Sequence, residues 1–133
     1  MNHHETNAAA AAALRVAETV MQRKTEVLAA QLVNVDQIFF ELLLAHGTLG
    51  SLHALDADPR GIHAAGDANS PIKVAAMDRV ARLQRERTNG LAAYSAALVE
   101  HTQAGNDLRV AIRAYTVANA AYLAQVAALL PPQ

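Results

Sequence analysis

Three features of this sequence point to an all-α fold: a long apolar heptad column, an alanine-dominated composition, and a scarcity of helix breakers. Leu14, Met21, Leu28, Val35, Leu42 and Leu49 recur at seven-residue steps, the spacing of one face of a helix. The 31 Ala outnumber the 6 Gly and 4 Pro, and Ala has the highest helix propensity of any residue. A length of 133 residues suits one domain covering 1–133. The expected architecture is an antiparallel, up-down bundle of three long helices with coiled-coil-like packing. A fourth helix arises if the second breaks at Gly90.

Helix one is expected over about 7–46, a span of roughly 40 residues and ~60 Å. Thr6 or Asn7 is placed to cap its start. Lys24 and Gln31 sit close to the apolar seam, whereas Arg15, Glu18, Gln22, Arg23, Glu26 and Asp36 fall mostly away from it. From Ile38 to Leu44 the helix is apolar nearly all round, broken only by Glu41. A helix apolar on every side is buried on every side. Leu28, Val35, Ile38, Phe39, Phe40, Leu42 and Leu43 are therefore the expected partner interface, with a second copy or another helical protein as partner.

Gly47 is expected to close this helix in a left-handed cap, with His46 in the last turn. Residues 47–70 hold four of the six Gly, together with Asp56, Asp58, Pro59 and Asp67, and read as a long loop. Ser70-Pro71 is a helix start, an N-cap followed by Pro at the first helical position. Helix two is expected over about 71–104, with Ile72, Ala76, Val80, Leu83, Leu91, Tyr94 and Leu98 facing inward. Gly105-Asn106-Asp107 reads as a turn with a new N-cap. Helix three is expected over about 107–130, with Leu108, Ile112, Tyr115, Asn119, Tyr122, Val126 and Leu129 in steps of four and three. Pro131-Pro132 stops it.

Composition narrows the function classes. A formal net charge of −1 and a pI near 6.6 disfavour a general polyanion binder. The absence of Cys removes disulfides, thiolate metal sites and Cys nucleophiles together. The N-terminus lacks the basic region of a signal peptide, and no stretch has 18 uncharged apolar residues, so no membrane span is expected. A cytoplasmic setting is the default, and a substrate of a signal-less export system would carry the same pattern. Ser51, Ser70 and Ser95 stand in no nucleophile motif, and phosphate-loop, dinucleotide and zinc-protease signatures are missing. An enzyme is not expected, nor is a cofactor.

Several residues still carry chemistry worth weighing. Asp56, Asp58, Gly61 and Asp67 fall at positions 1, 3, 6 and 12 of a calcium loop, but Pro59 and Arg60 interrupt it and Asp67 is short for a bidentate ligand. His46, His53 and His63 flank or enter the same segment and suit a zinc, copper or nickel site. Met1-Asn2-His3 can form a square-planar copper or nickel site through a free amine. Arg79, Arg82, Arg85 and Arg87 concentrate charge on helix two and are candidate phosphate contacts; nucleic acid is an unfavoured partner at this pI. Asn119, flanked by Tyr115 and Tyr122, is a polar residue on an apolar seam, where its best-attested use is fixing register.

The segment His46-Gly47-Thr48-Leu49-Gly50-Ser51 resembles the phosphoacceptor stretch of histidine phosphotransfer domains, in which a Gly four residues after the His clears room for phosphohistidine. The resemblance covers six of 133 residues. Leu49 stands where that family has Lys. It implies a small sensor or phosphotransfer bundle with His46 as phosphoacceptor, the alternative to an interaction module.

Overall fold

The computed structural model describes residues 2–56 and 70–132. Two helices, α1 (His3–Asp56) and α2 (Pro71–Leu129), account for nearly all of them and pack together. A three- or four-helix bundle is not what forms. By its contacts the chain divides into two compact units, residues 1–29 with 96–133, and residues 30–95. Each unit pairs a stretch of α1 with a stretch of α2.

Helix α1 starts at His3 rather than behind Thr6 or Asn7, because Asn2 is the cap. Its Oδ1 accepts the Glu5 amide at 2.8 Å, and its Nδ2 lies 3.4 Å from the Glu5 carboxylate. The first is the N-cap bond to the third helical residue, and the second ties the two side chains together. The helix then runs through Gly47 and Gly50 to Asp56, with no left-handed cap at Gly47. Two leucines beside these glycines explain the continuation. Leu49 packs on the core and Leu52 is buried, so extending the helix shelters both, which offsets about 1 kcal/mol per helical Gly.

Helix α2 begins at Pro71, with the Ser70 carbonyl accepting the Val74 amide at 3.0 Å. It continues through both Gly90 and Gly105-Asn106-Asp107. The expected turn at 105–107 fails because the buried face stays in phase across it. From Lys73 to Tyr122, the sheltered positions recur in alternating steps of three and four, including His101, Ala104, Leu108 and Ala111. A turn at Gly105 would break that register, whereas the local preference of Gly, Asn and Asp against helix amounts to only about 2 kcal/mol over the three residues.

In the 30–95 unit the core is Leu42, Ala45, Val80 and Leu83, with Leu49 against it. Gly90 faces Asn34, Val35 and Ile38, and the Arg87 guanidinium stands 5.7 Å from the Phe39 ring centre, a cation–π distance. These pairings run α1 antiparallel to α2 within the unit. In the other unit, the His4 and Tyr122 rings meet at 5.5 Å, and Met21 reaches over Gly105. His101 Nε2 lies 3.1 Å from the Thr25 hydroxyl. Lys24, near the seam as the sequence suggests, extends its Nζ to Glu100 Oε2 at 3.1 Å. With side chains 36% and 58% exposed, this bridge is expected to contribute little. Glu100→Ala should lower stability by no more than about 1 kcal/mol, and high salt in a urea titration should erase the difference.

Candidate interaction surface

The inner face of α1 is the heptad column read from sequence. Leu14, Met21, Leu28, Val35, Leu42 and Leu49 are all sheltered, and Val35 and Leu42 are buried. On α2 the expected inner face is sheltered in part: Val80 and Leu83 are buried and Ala76 and Tyr94 half-buried. Ile72, Leu91 and Leu98 are exposed, as is Ile112 further along, while Lys73, Gly90, Ala97, Ala104 and Ala118 are buried. Small residues hold this seam because they let two helices approach closely, and sequence reasoning weighted towards bulky side chains passes over them.

The residues expected as a partner interface separate into two sets. Leu28, Val35, Ile38 and Leu42 face α2, Phe40 and Leu43 point away from this seam and are exposed, and Phe39 lies at its edge, exposed but with Arg87 of α2 over its ring. At 100° per residue, Phe40 lies well round the helix from Ile38 and Leu42. It is joined on the outer side by Leu32, Val33 and Leu44, which are also exposed. Phe40 is 61% and Leu43 70% exposed. Val33, Leu44, Gly47 and Gly50 belong to this outer face, and a second three-and-four column on the same helix is the signal that marks it.

The 30–95 unit also has a polar groove lined by Asn34, Gln37, Glu41, Glu86 and Asn89. Its carboxylates are engaged along their own helices: Gln37 Nε2 reaches Glu41 at 3.5 Å, and Arg82 Nε stands 3.8 Å from Glu86. In the other unit an apolar groove runs between Val16, Val20, Val110 and Ala114, with Asp107 among its lining residues. Elsewhere in that unit Asn7 Oδ1 is buried without a hydrogen-bond partner among the described residues.

The remaining candidates are dispersed. His46 is exposed on α1, and His53 lies two turns further on, about 10 Å along the axis, too far apart to share one ion. Asp58, His63 and Asp67 lie outside the described residues, as do Met1 and the side chain of Asp56. Among the described residues no three His, Cys, Asp or Glu gather as a metal site. Arg79, Arg82 and Arg85 are exposed, and Arg87 turns to Phe39. The 200° between Arg85 and Arg87 places them on nearly opposite sides of α2. Asn119, Tyr115 and Tyr122 are half-buried, and among the described residues no hydrogen bond joins Asn119 to either tyrosine; Tyr122 meets the His4 ring at a tilt of 49°.

Helix α1 is also long and apolar enough, by length and composition, to cross a bilayer, and little of its most apolar stretch is buried. The 18 residues from Val27 to Leu44 carry two charges, Asp36 and Glu41. Each would oppose insertion by about 3 kcal/mol at the helix centre. The same stretch, apolar on two sides, equally suits a helix that packs on helices. The chain matches no protein-family model, no curated protein and no solved structure.

Proposed function

We propose that the chain is a non-enzymatic interaction module that takes a further helix onto apolar surface its own two helices leave uncovered. The observation that carries this reading is the outer face of α1. Leu32, Val33, Phe39, Phe40, Leu43 and Leu44 stand exposed on a helix whose opposite side is already buried. Contiguous exposed apolar surface of this kind marks a partner site on soluble proteins. A helix is the occupant that matches a straight, heptad-spaced strip. Native mass spectrometry of the chain, purified and from extract of its source cells, tests this. A complex heavier than 14.1 kDa that Phe40→Glu releases supports the reading. A monomer in both settings would remove it.

A second reading, phosphotransfer, draws support from one feature. The helix is unbroken at Gly47, so exposed His46 and Gly50 sit one turn apart. Among the described residues nothing lies within 4 Å of the position a Gly50 Cβ would take, which leaves room for a phosphoryl group on the imidazole. Incubation with acetyl phosphate is then expected to label the protein with an acid-labile group, and His46→Gln to abolish the label without loss of far-UV helix signal. An unlabelled wild type sinks this reading.

A further inference from the structure

We propose that the occupant of the outer α1 face is a second copy of this chain, packed antiparallel about a twofold axis between Phe40 and Leu43. This rests on the docking of a helix proposed for the same face and names its partner. The outer column runs Val33, Asp36, Phe40, Leu43, Gly47 and Gly50, in alternating steps of three and four. All six are exposed, and the column lies about 160° around the helix from the inner one.

The two glycines are the informative members. A helical Gly weakens its helix relative to Ala, and a Cβ at Gly47 or Gly50 would meet nothing within 4 Å. Among the described residues no neighbour requires either glycine. On a helix surface, the missing side chain leaves room for an outside group to approach the backbone.

The column is complementary to itself when reversed. A twofold axis between Phe40 and Leu43 sets Phe40 of one copy on Leu43 of the other, Asp36 over Gly47, and Val33 over Gly50. Away from the axis, each larger residue meets a glycine. The two Asp36 carboxylates then lie about 16 Å apart along the helix, beyond the roughly 8 Å screening length at physiological salt. A parallel pairing would instead bring Asp36 against Asp36 and leave the glycines facing each other across a gap. A foreign helix would need to bring its own small residue opposite Asp36 and its own bulk for the glycines. An isologous interface supplies both matches from one patch.

The area is sufficient. The six large apolar side chains around this column are 45–70% exposed. With aromatic side chains presenting ~150–250 Å² each and aliphatic ones somewhat less, they offer on the order of 600 Å² per copy. Two copies reach the lower bound of specific interfaces, roughly 1,200 Å² in total.

Sedimentation equilibrium of the purified full chain is expected to give twice 14.1 kDa. Phe40→Glu and Leu43→Glu should each raise the dimer dissociation constant about a hundredfold or more, with far-UV helix signal unchanged because both side chains are exposed. Gly47→Leu should also dissociate the dimer, although the isolated chain has open space for the new side chain. The sequence has no Cys, so single cysteines report on geometry. Val33→Cys mixed with Gly50→Cys should form a mixed disulfide under mild oxidation, and Val33→Cys alone should form none. A disulfide of Val33→Cys with itself, or a dimer indifferent to Phe40→Glu and Gly47→Leu, overturns the proposal. So does a monomeric wild type. If that monomer holds a different helical protein through Phe40, only the second copy is refuted and the docking reading stands. If it co-sediments with phosphatidylglycerol vesicles through Phe40, or carries nothing, both fall.

Discussion

Leu83→Ala is expected to lower stability by about 2–5 kcal/mol, the range for deleting a buried leucine side chain. Leu83 is 1% exposed and is the one large side chain that is fully buried among the described residues. It packs with Leu42, Ala45 and Val80. The loss has two parts, the transfer free energy of the removed carbons and the void left beside Ala45, which is too small to refill it. Against a typical total of about 5–15 kcal/mol, that is enough to unfold a large fraction of a marginal domain. The control is Leu43→Ala. Leu43 adjoins Leu42 in sequence but is 70% exposed, so in the monomer its truncation should change stability by no more than about 0.5 kcal/mol. Urea titrations followed by far-UV circular dichroism, at concentrations below the dimer range, measure both. Equal losses at the two positions would mean that the inner and outer faces of α1 have been misassigned.

The all-α class and the inner face of α1 are legible in the sequence because they rest on large apolar residues at a fixed period. Leu14 to Leu49 needs no tertiary information to be seen as a stripe. The two-helix architecture is harder to read, for a physical reason visible at Gly105. Gly, Asn and Asp in succession are a strong local turn signal, but a helix end is decided by the difference between local preference and the packing lost by stopping. The packing here belongs to Ala97, Ala104 and Ala118, all buried, and an alanine seam has no profile among bulky residues. The same weighing applied at Gly90, where Leu83, Arg87, Leu91 and Tyr94 keep helical spacing, does favour a continuous helix. The candidate interaction surface is half legible. Phe39, Phe40 and Leu43 are singled out by being apolar, but by periodicity alone the wrap of apolar residues from Ile38 to Leu44 reads as one buried core. It is two columns back to back, and only one of them is covered by α2. What lies over the other depends on intermolecular packing, which a single chain's periodicity does not encode.

Gly90 provides the sharpest test of the register between the two helices in the 30–95 unit. A Cβ there would lie 3.3 Å from Ile38 Cδ1, 3.6 Å from Asn34 Nδ2 and 3.6 Å from Val35 Cγ2. Gly90→Ala is expected to be close to neutral. The gain from replacing a helical Gly is about 1 kcal/mol, and the tightest contact is with the end of a flexible side chain that can shift by a few tenths of an ångström. Gly90→Leu has no such escape. Its extra carbons would project into the space held by Val35 and Ile38, both buried, and must either force those side chains off their rotamers or push the helices apart. Overpacking of this kind lowers stability by about 1–3 kcal/mol, and more if the Leu42–Leu83 contacts a turn or two away are opened with it. Gly47→Ala and Gly50→Ala separate propensity from space, since a Cβ at either position meets nothing within 4 Å. In the monomer each should raise stability by about 1 kcal/mol. The expected order by urea midpoint is therefore Gly47→Ala above wild type, Gly90→Ala level with it, and Gly90→Leu well below. If Gly90→Leu instead matches Gly90→Ala, position 90 faces open space, and the antiparallel register that sets it against Ile38 is wrong.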